Sequence, residues 1–283
     1  MNDYKVLQMP KLIFPSMNIY IDLTNQFNDG RLRAILSSGQ AVVLHRLAIM
    51  SKDGDWIVRE DDDSLMYILG VLDRYGARYR FGAPLDARWL TGGWSSHFEF
   101  MDGNMRIRTD FVSRPPRIAP IRLNEIWKEQ ERKEFPFIGL VDLAEIKKTN
   151  REKDYAVIGE LARKIESPEL RLRYSRSARD ILLACEKDST SVYRILEKRG
   201  IGKEAFESLE TLESALDAER RRHMHANERR LALYTLAAQS WAKIWKEIEK
   251  QTEDLSLLDA HAMIRNRASG ILPEEPERGG VHE

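Results

Sequence analysis

The rhythm of apolar and polar positions changes near residue 120. Before that point, short apolar segments such as AILSSG, GDWIV, GARYRFGAP and SSHFEFMDGNMRIRTDFV alternate with turn signals and read as strands mixed with helices. Within the last of them, HFEFMDGNMRIRTDFV has the form of a hairpin with DGN at its tip. A period of two puts Arg106, Arg108 and Asp110 on one face of it and Met105, Ile107 and Thr109 on the other. After RPPRIAP the prolines thin out, and long stretches rich in Leu, Ala, Glu, Lys and Arg read as helices. The clearest runs from about Asn227 to Lys250, where Leu231, Tyr234, Ala238, Trp241, Trp245 and Ile248 recur at spacings of three and four and predict the seam of a helical bundle. The pattern predicts an α/β (α+β) core over residues 1–120, an all-α helical domain over 121–270, and a disordered polar tail over 271–283.

Residues 38 to 58, SGQAVVLHRLAIMSKDGDWIV, place two aspartates one residue apart where an apolar strand begins. DG between apolar runs is also a hairpin signal. Val42, Val43 and Leu44 are consecutive, however, and His45 and Arg46 follow, which spoils a period of two; Ala41, Leu44 and Ala48, with Val43, Leu47 and Met50, fit helical spacing. The predicted order is strand AIL, a tight SSG turn, a helix from Gln40 to about Met50, then strand DWIV. In a strand Asp53 and Asp55 point to the same side, roughly 7 Å apart. Uncompensated, two such carboxylates repel one another and lose hydration, which raises their pKa values; a divalent cation removes that penalty, and hard Mg²⁺ prefers oxygen ligands of this kind.

Composition narrows the field. With 283 residues, 42% hydrophobic and 32% charged, the chain can bury a substantial core and divide into two units. Lys+Arg and Asp+Glu both total 45, so bulk charge attracts neither nucleic acid nor an anionic membrane, and any polyanion contact must be local. No stretch approaches the ~20 apolar residues that span a bilayer, and the start MNDYKVLQMPK lacks the marks of a signal peptide. The expectation is a cytoplasmic protein without membrane contact. Cys185, the single cysteine, sits in ARDILLAC and reads as an inert core thiol.

The turn Ser37-Ser38-Gly39, the helix after it, and Asp53-Gly54-Asp55 followed by apolar residues resemble the signature of the nucleotidyltransferase superfamily, whose DNA polymerase beta-like fold implies a core with a mixed sheet. More narrowly, the chain resembles the bacterial branch of abortive-infection and toxin-antitoxin nucleotidyltransferases. That family carries Gly-Gly or Gly-Ser in the turn, whose backbone N–H groups hold the nucleotide's phosphates; here Ser38 and Gly39 take those places, one glycine short. The resemblance implies a third carboxylate on a neighbouring strand, for which Asp110 is the candidate, and Mg²⁺ (or Mn²⁺) held by Asp53, Asp55 and Asp110. Downstream, DLAEIKKTNREKDYAVIGELARKI resembles the helical segment that follows the family's catalytic core. Lys147 or Lys148 corresponds to the family's lysine, and Arg151 and Asp154 to its Arg-x-Lys-Asp run. At i, i+4 and i+7, Lys147, Arg151 and Asp154 are expected to line one helix face toward phosphates. The likeness spans residues 37 to about 160. It implies transfer of an NMP from an NTP to an RNA or protein acceptor. Two alternatives are a catalytically silent nucleotide- or RNA-binding sensor or adaptor, and a helical half of a toxin-antitoxin pair that docks a protein partner through the Tyr234 and Trp241 stripe.

Other features read as ordinary structure. Gly92-Gly93 is expected to permit a close backbone approach. Asp61-Asp62-Asp63-Ser64 stands where a helix N-terminus favours acids. His223 and His225, two apart on a helix, diverge and share no metal. ERRRHMHANERR is a local basic patch on a solvated face. The sequence shows neither a Walker loop nor a Ser-His-Asp signature.

Overall fold

A computed structural model describes residues 18–276. Its five strands are β1 (Ala34–Ser37), β2 (Asp53–Val58), β3 (Arg78–Tyr79), β4 (Ser96–Asp102) and β5 (Met105–Val112). They form one sheet in the order β1-β2-β5-β4-β3, in which only β2 and β5 are parallel, so the sheet is mixed, as expected. Four helices are interspersed with the strands: α1 (Ile19–Phe27), α2 (Ser38–Leu44), α3 (Asp62–Arg74) and α4 (Ala87–Thr91). Nine more follow: α5 (Pro120–Gln130), α6 (Leu140–Ile146), α7 (Glu152–Lys164), α8 (Pro168–Tyr174), α9 (Ala178–Lys187), α10 (Ser189–Glu197), α11 (Leu209–Ala237), α12 (Gln239–Thr252) and α13 (Leu257–Ala268). Local chemistry accounts for several boundaries. Asp61 caps α3 by accepting from the Ser64 N–H, and Gly103 turns the β4–β5 hairpin at φ 57°.

The two faces of the sheet have different neighbours. On one, Leu36, Trp56, Phe98, Phe100, Ile107 and Phe111 meet apolar residues of α1, α3 and α4. Trp56 and Phe111 stack at 5.4 Å, with Phe27 edge-on to both. On the other face, Ile35 and Ile57 are covered by residues of α2, α5, α6 and α7, but only at one end of the strands. The other end of this face carries Asp53, Asp55 and Asp110, all partly buried. A third cluster is formed by α9, α10 and α11 with Ile201 and Ala205 from the segment between α10 and α11.

Three expectations are corrected here. The helix predicted from Gln40 to about Met50 runs instead from Ser38 to Leu44. It ends because Arg46 turns to a positive φ of 59° and a ring nitrogen of His45 bonds the Ile138 carbonyl at 2.9 Å, which leaves Ile49 and Met50 exposed. The stripe from Leu231 to Ile248 crosses a break at Ala238 between α11 and α12 and is not a bundle seam. Tyr234, Ala238, Trp241, Trp245 and Ile248 pack into the aromatic cluster under the sheet, Trp241 Nε1 donating to the Gly82 carbonyl at 2.9 Å. The period marks a buried face without naming what buries it. Finally, residues 277–283 of the expected tail lie outside the described residues, while Leu272 is buried and its carbonyl accepts from Trp89 Nε1 at 3.1 Å.

Gly92 and Gly93 do permit close approach. A Cβ on Gly92 would collide with the Glu274 backbone, and Gly93 adopts φ 82° beneath the Tyr234 hydroxyl, which donates to the Gly92 carbonyl at 2.8 Å.

Candidate functional site

Register brings the aspartates together. Pairing of β2 with β5 sets Asp55 beside Asp110 and Asp53 beside Arg108, and pairing of β5 with β4 sets Asp110 opposite His97. One row across the sheet therefore reads Ser37, Asp55, Asp110, His97. Gly54 separates the two aspartates of β2 because a Cβ there would stand 2.5 Å from the Tyr20 ring.

The three carboxylates differ in what surrounds them. Burial pushes the Asp55 carboxyl up to about 6; the charges of Asp110 and Asp53 push the same way, and Lys147 and Arg151 oppose them. Burial and then Asp53 likewise raise the Tyr20 phenol, so this tyrosine senses the same negative field. Asp53 Oδ1 is buried without a hydrogen-bond partner, the Arg108 guanidinium standing 3.9 Å away. Asp110 Oδ1 takes a 2.7 Å bond from His97 Nδ1 and a 3.3 Å contact from Arg80 Nη1. An orphaned carboxylate oxygen beside a carboxyl raised by burial and then by like charge suits an added cation. Among the described residues, however, no three acidic, histidine or cysteine side chains are grouped closely enough to hold a metal as they stand. Arg80 and His97 both take up Asp110 Oδ1, an oxygen that a metal would otherwise use.

Ser38 and Gly39 open α2 directly from the end of β1, beside Asp55. Ser38 adopts φ 48°, the left-handed region that glycine favours, so serine holds the backbone shape of a glycine turn. Gly39 is crowded by the Ser51 side chain, and Gln40 Nε2 donates to the carbonyls of Ser51 and Asp53 at 3.0 and 3.3 Å, tying α2 to the start of β2. Beside Asp53 lies a cleft of about 630 Å³, lined by Tyr20, Val43, Met50, Lys52, Met105 and Arg108 among others.

The expectation that Lys147, Arg151 and Asp154 share one helix face is corrected. Lys147 caps the end of α6, Arg151 precedes α7, and a loop separates them. The reason is Thr149, whose hydroxyl accepts from the Arg151 N–H at 3.1 Å and donates to Asp154 Oδ2 at 2.6 Å, a local arrangement that competes with the helix. Asp154 still gathers the cations: Lys147 Nζ at 3.3 Å and Arg151 Nε at 2.8 Å. Burial pulls the Asp154 carboxyl upward, but Lys147, Thr149 and Arg151 together hold it below its ordinary value. Lys148 turns away to Glu145 at 2.8 Å and to the face of Tyr174.

Sequence reasoning missed Arg80 and the Ser95–His97 pair. Ser95 Oγ is 2.8 Å from His97 Nε2, and His97 Nδ1 is 2.7 Å from Asp110 Oδ1, so a Ser-His-Asp chain exists after all, assembled by register rather than by a local motif. The available signal was SSHFEF itself, where Ser95 and His97 fall on the face opposite Phe98.

No protein-family model matches the chain, and no curated protein matches it. A solved structure similar to it is the "Crystal structure of putative nucleotidyltransferase from H. pylori", at 12% identity and a TM-score of 0.35, covering 75% of this chain and 96% of that one.

Proposed function

We propose that the protein is a metal-dependent nucleotidyltransferase that moves an NMP from an NTP to an RNA or protein acceptor. The observation that carries this reading is the row of Asp55 and Asp110 with Asp53 beside it, where the Asp55 carboxyl is raised to about 6 and Asp53 Oδ1 lacks a partner. Asp53 and Asp55 would hold Mg²⁺ or Mn²⁺, with Asp110 joining from β5. When bound, the metal supplies Lewis-acid stabilisation of phosphoryl charge. The chain's own groups do the positioning. Backbone N–H groups at Ser38 and Gly39, in the left-handed turn, would bind incoming phosphate oxygens, and Arg151, with its side chain 52% exposed, would add a guanidinium to them. Lys147 is buried against Asp154 and acts by orienting that loop and countering the Asp55 charge.

A second reading has an observation of its own. His97, Arg80 and Arg108 already approach Asp110 and Asp53, which fits a chain that binds a nucleotide or RNA as a sensor without transferring anything. The toxin-antitoxin alternative keeps less support, because Trp241 is spent in the core and Tyr234 packs against it.

Thermal unfolding with Mg²⁺ or Mn²⁺ and each NTP tests the proposal. Ligand at 100 times its dissociation constant adds about 2.7 kcal/mol. Asp53→Asn and Asp110→Asn should lose the shift while remaining folded. A wild type that shows no metal-dependent shift with any NTP rules out the shared site; a shift without transfer of α-labelled NMP to RNA or protein leaves the sensor.

A further inference from the structure

We propose that Ser95 is a primed nucleophile and the protein's own acceptor for an NMP, an inference that rests on the nucleotidyltransferase reading for its donor. A carboxylate only accepts hydrogen bonds, so His97 Nδ1 donates to Asp110 Oδ1 at 2.7 Å, and Nε2, 2.8 Å from the Ser95 hydroxyl, is placed to accept from it in the neutral ring. Nucleophile, base and orienting carboxylate are thus aligned as an activated hydroxyl requires.

The fold holds each member. Ser95 and His97 are two residues apart, so they share a face, and strand pairing sets His97 opposite Asp110. The Ser95 carbonyl accepts from the Ala83 N–H at 3.0 Å, which fixes the backbone under the hydroxyl. Gly82 walls the imidazole closely, for a Cβ there would stand 2.6 Å from His97 Cδ2. Arg80 Nη1, 3.3 Å from Asp110 Oδ1, adds a cation beside the chain. His97 and Asp110 keep 25% and 24% of their side-chain surface, so a phosphoryl group can approach. Asp110 belongs both to this chain and to the row with Asp55, which places the acceptor next to the proposed donor site.

In the step, a bond forms between Ser95 Oγ and the α-phosphorus as the bond from that phosphorus to the α,β-bridging oxygen breaks. The hydroxyl proton passes to His97 Nε2, and pyrophosphate leaves with the electron pair.

The full chain is incubated with Mn²⁺, each α-labelled NTP and total RNA, then read by intact mass and peptide mapping. One NMP per chain on the Ser95 peptide is expected. Ser95→Ala should lose it, and His97→Gln should slow it by about 10²- to 10⁴-fold. A fluorophosphonate probe, which needs neither metal nor nucleotide, should form an adduct at Ser95 that His97→Gln suppresses. Protein labelling that survives in Ser95→Ala, or labelling of RNA alone, overturns the acceptor assignment while transfer itself stands. If nothing is labelled but the probe reacts at Ser95, the transfer reading falls and takes the NMP assignment with it, and the primed nucleophile remains. No adduct at Ser95 overturns the priming.

Discussion

Glu219, on α11, is buried among guanidinium groups: Arg199 bonds it through Nε at 2.8 Å and Nη2 at 2.6 Å, and Arg176 bonds it as well. Burial would raise its carboxyl, but Arg199 and then Arg176 outweigh that and hold it below its ordinary value. Asp55 lies in the other kind of place. Its nearest charged neighbours on the sheet are carboxylates, and the cations that reach it, Lys147 and Arg151, are already bonded to Asp154. In the helical region the chain neutralises its buried charge internally. At the aspartate end of the sheet it leaves negative charge for something outside the chain to neutralise, which distinguishes a structural ion cluster from a candidate site.

The comparison breaks most visibly at Glu219. Glu219→Gln leaves Arg176 and Arg199 buried without a counter-charge and should destabilise the fold by about 3–5 kcal/mol in urea titrations. If the loss were under 1 kcal/mol, the helical cluster would not be held by this pair. Asp55→Asn should act in the opposite direction. Between the ordinary aspartate value and about 6, the folded chain binds a proton that the unfolded chain has released, so stability falls as pH rises through that window. Without metal, the variant should therefore be more stable than wild type at pH 8, by on the order of 3 kcal/mol, and the gain should vanish near pH 3. A pH-independent difference would show that Asp55 is not strained by charge. Ser38→Gly relieves a left-handed serine and should add up to about 1 kcal/mol, reduced by glycine's larger entropy loss, with nucleotide binding kept. The smallest effect belongs to Lys148→Ala. Its pair with Glu145 and Tyr174 lies away from the carboxylates, so isothermal titration should find nucleotide affinity unchanged and stability within about 1 kcal/mol.

How far the chain could be read in advance depended on the range of each interaction. Alternation in β5 placed Arg106, Arg108 and Asp110 on one face, and Asp61 marked a helix start, because both signals lie within a few residues. The pairing of Asp55 with Asp110 was expected only through a resemblance. Residues 55 apart in sequence choose their register through the cores on both faces, which no local pattern records. His97 and Arg80 were missed for the same reason. The loop at Thr149 was misread as helix because i, i+4 spacing persists on paper through a hydroxyl that rewires the backbone.

The packing of α12 and α13 against α3 and the aromatic cluster has a consequence for how the chain folds. Leu257 N–H donates to Asp73 at 2.8 Å, and the Tyr79 hydroxyl, which itself accepts from Leu85 N–H, bonds the buried His261 ring at 2.7 Å, contacts more than 180 residues apart in sequence. Closing such long loops is slow, and chain growth is slower still. On a ribosome the sheet would wait, with Trp89 and its neighbours uncovered, until the final helices had emerged, so a chain stopped near Ala237 should aggregate rather than persist as a smaller folded protein.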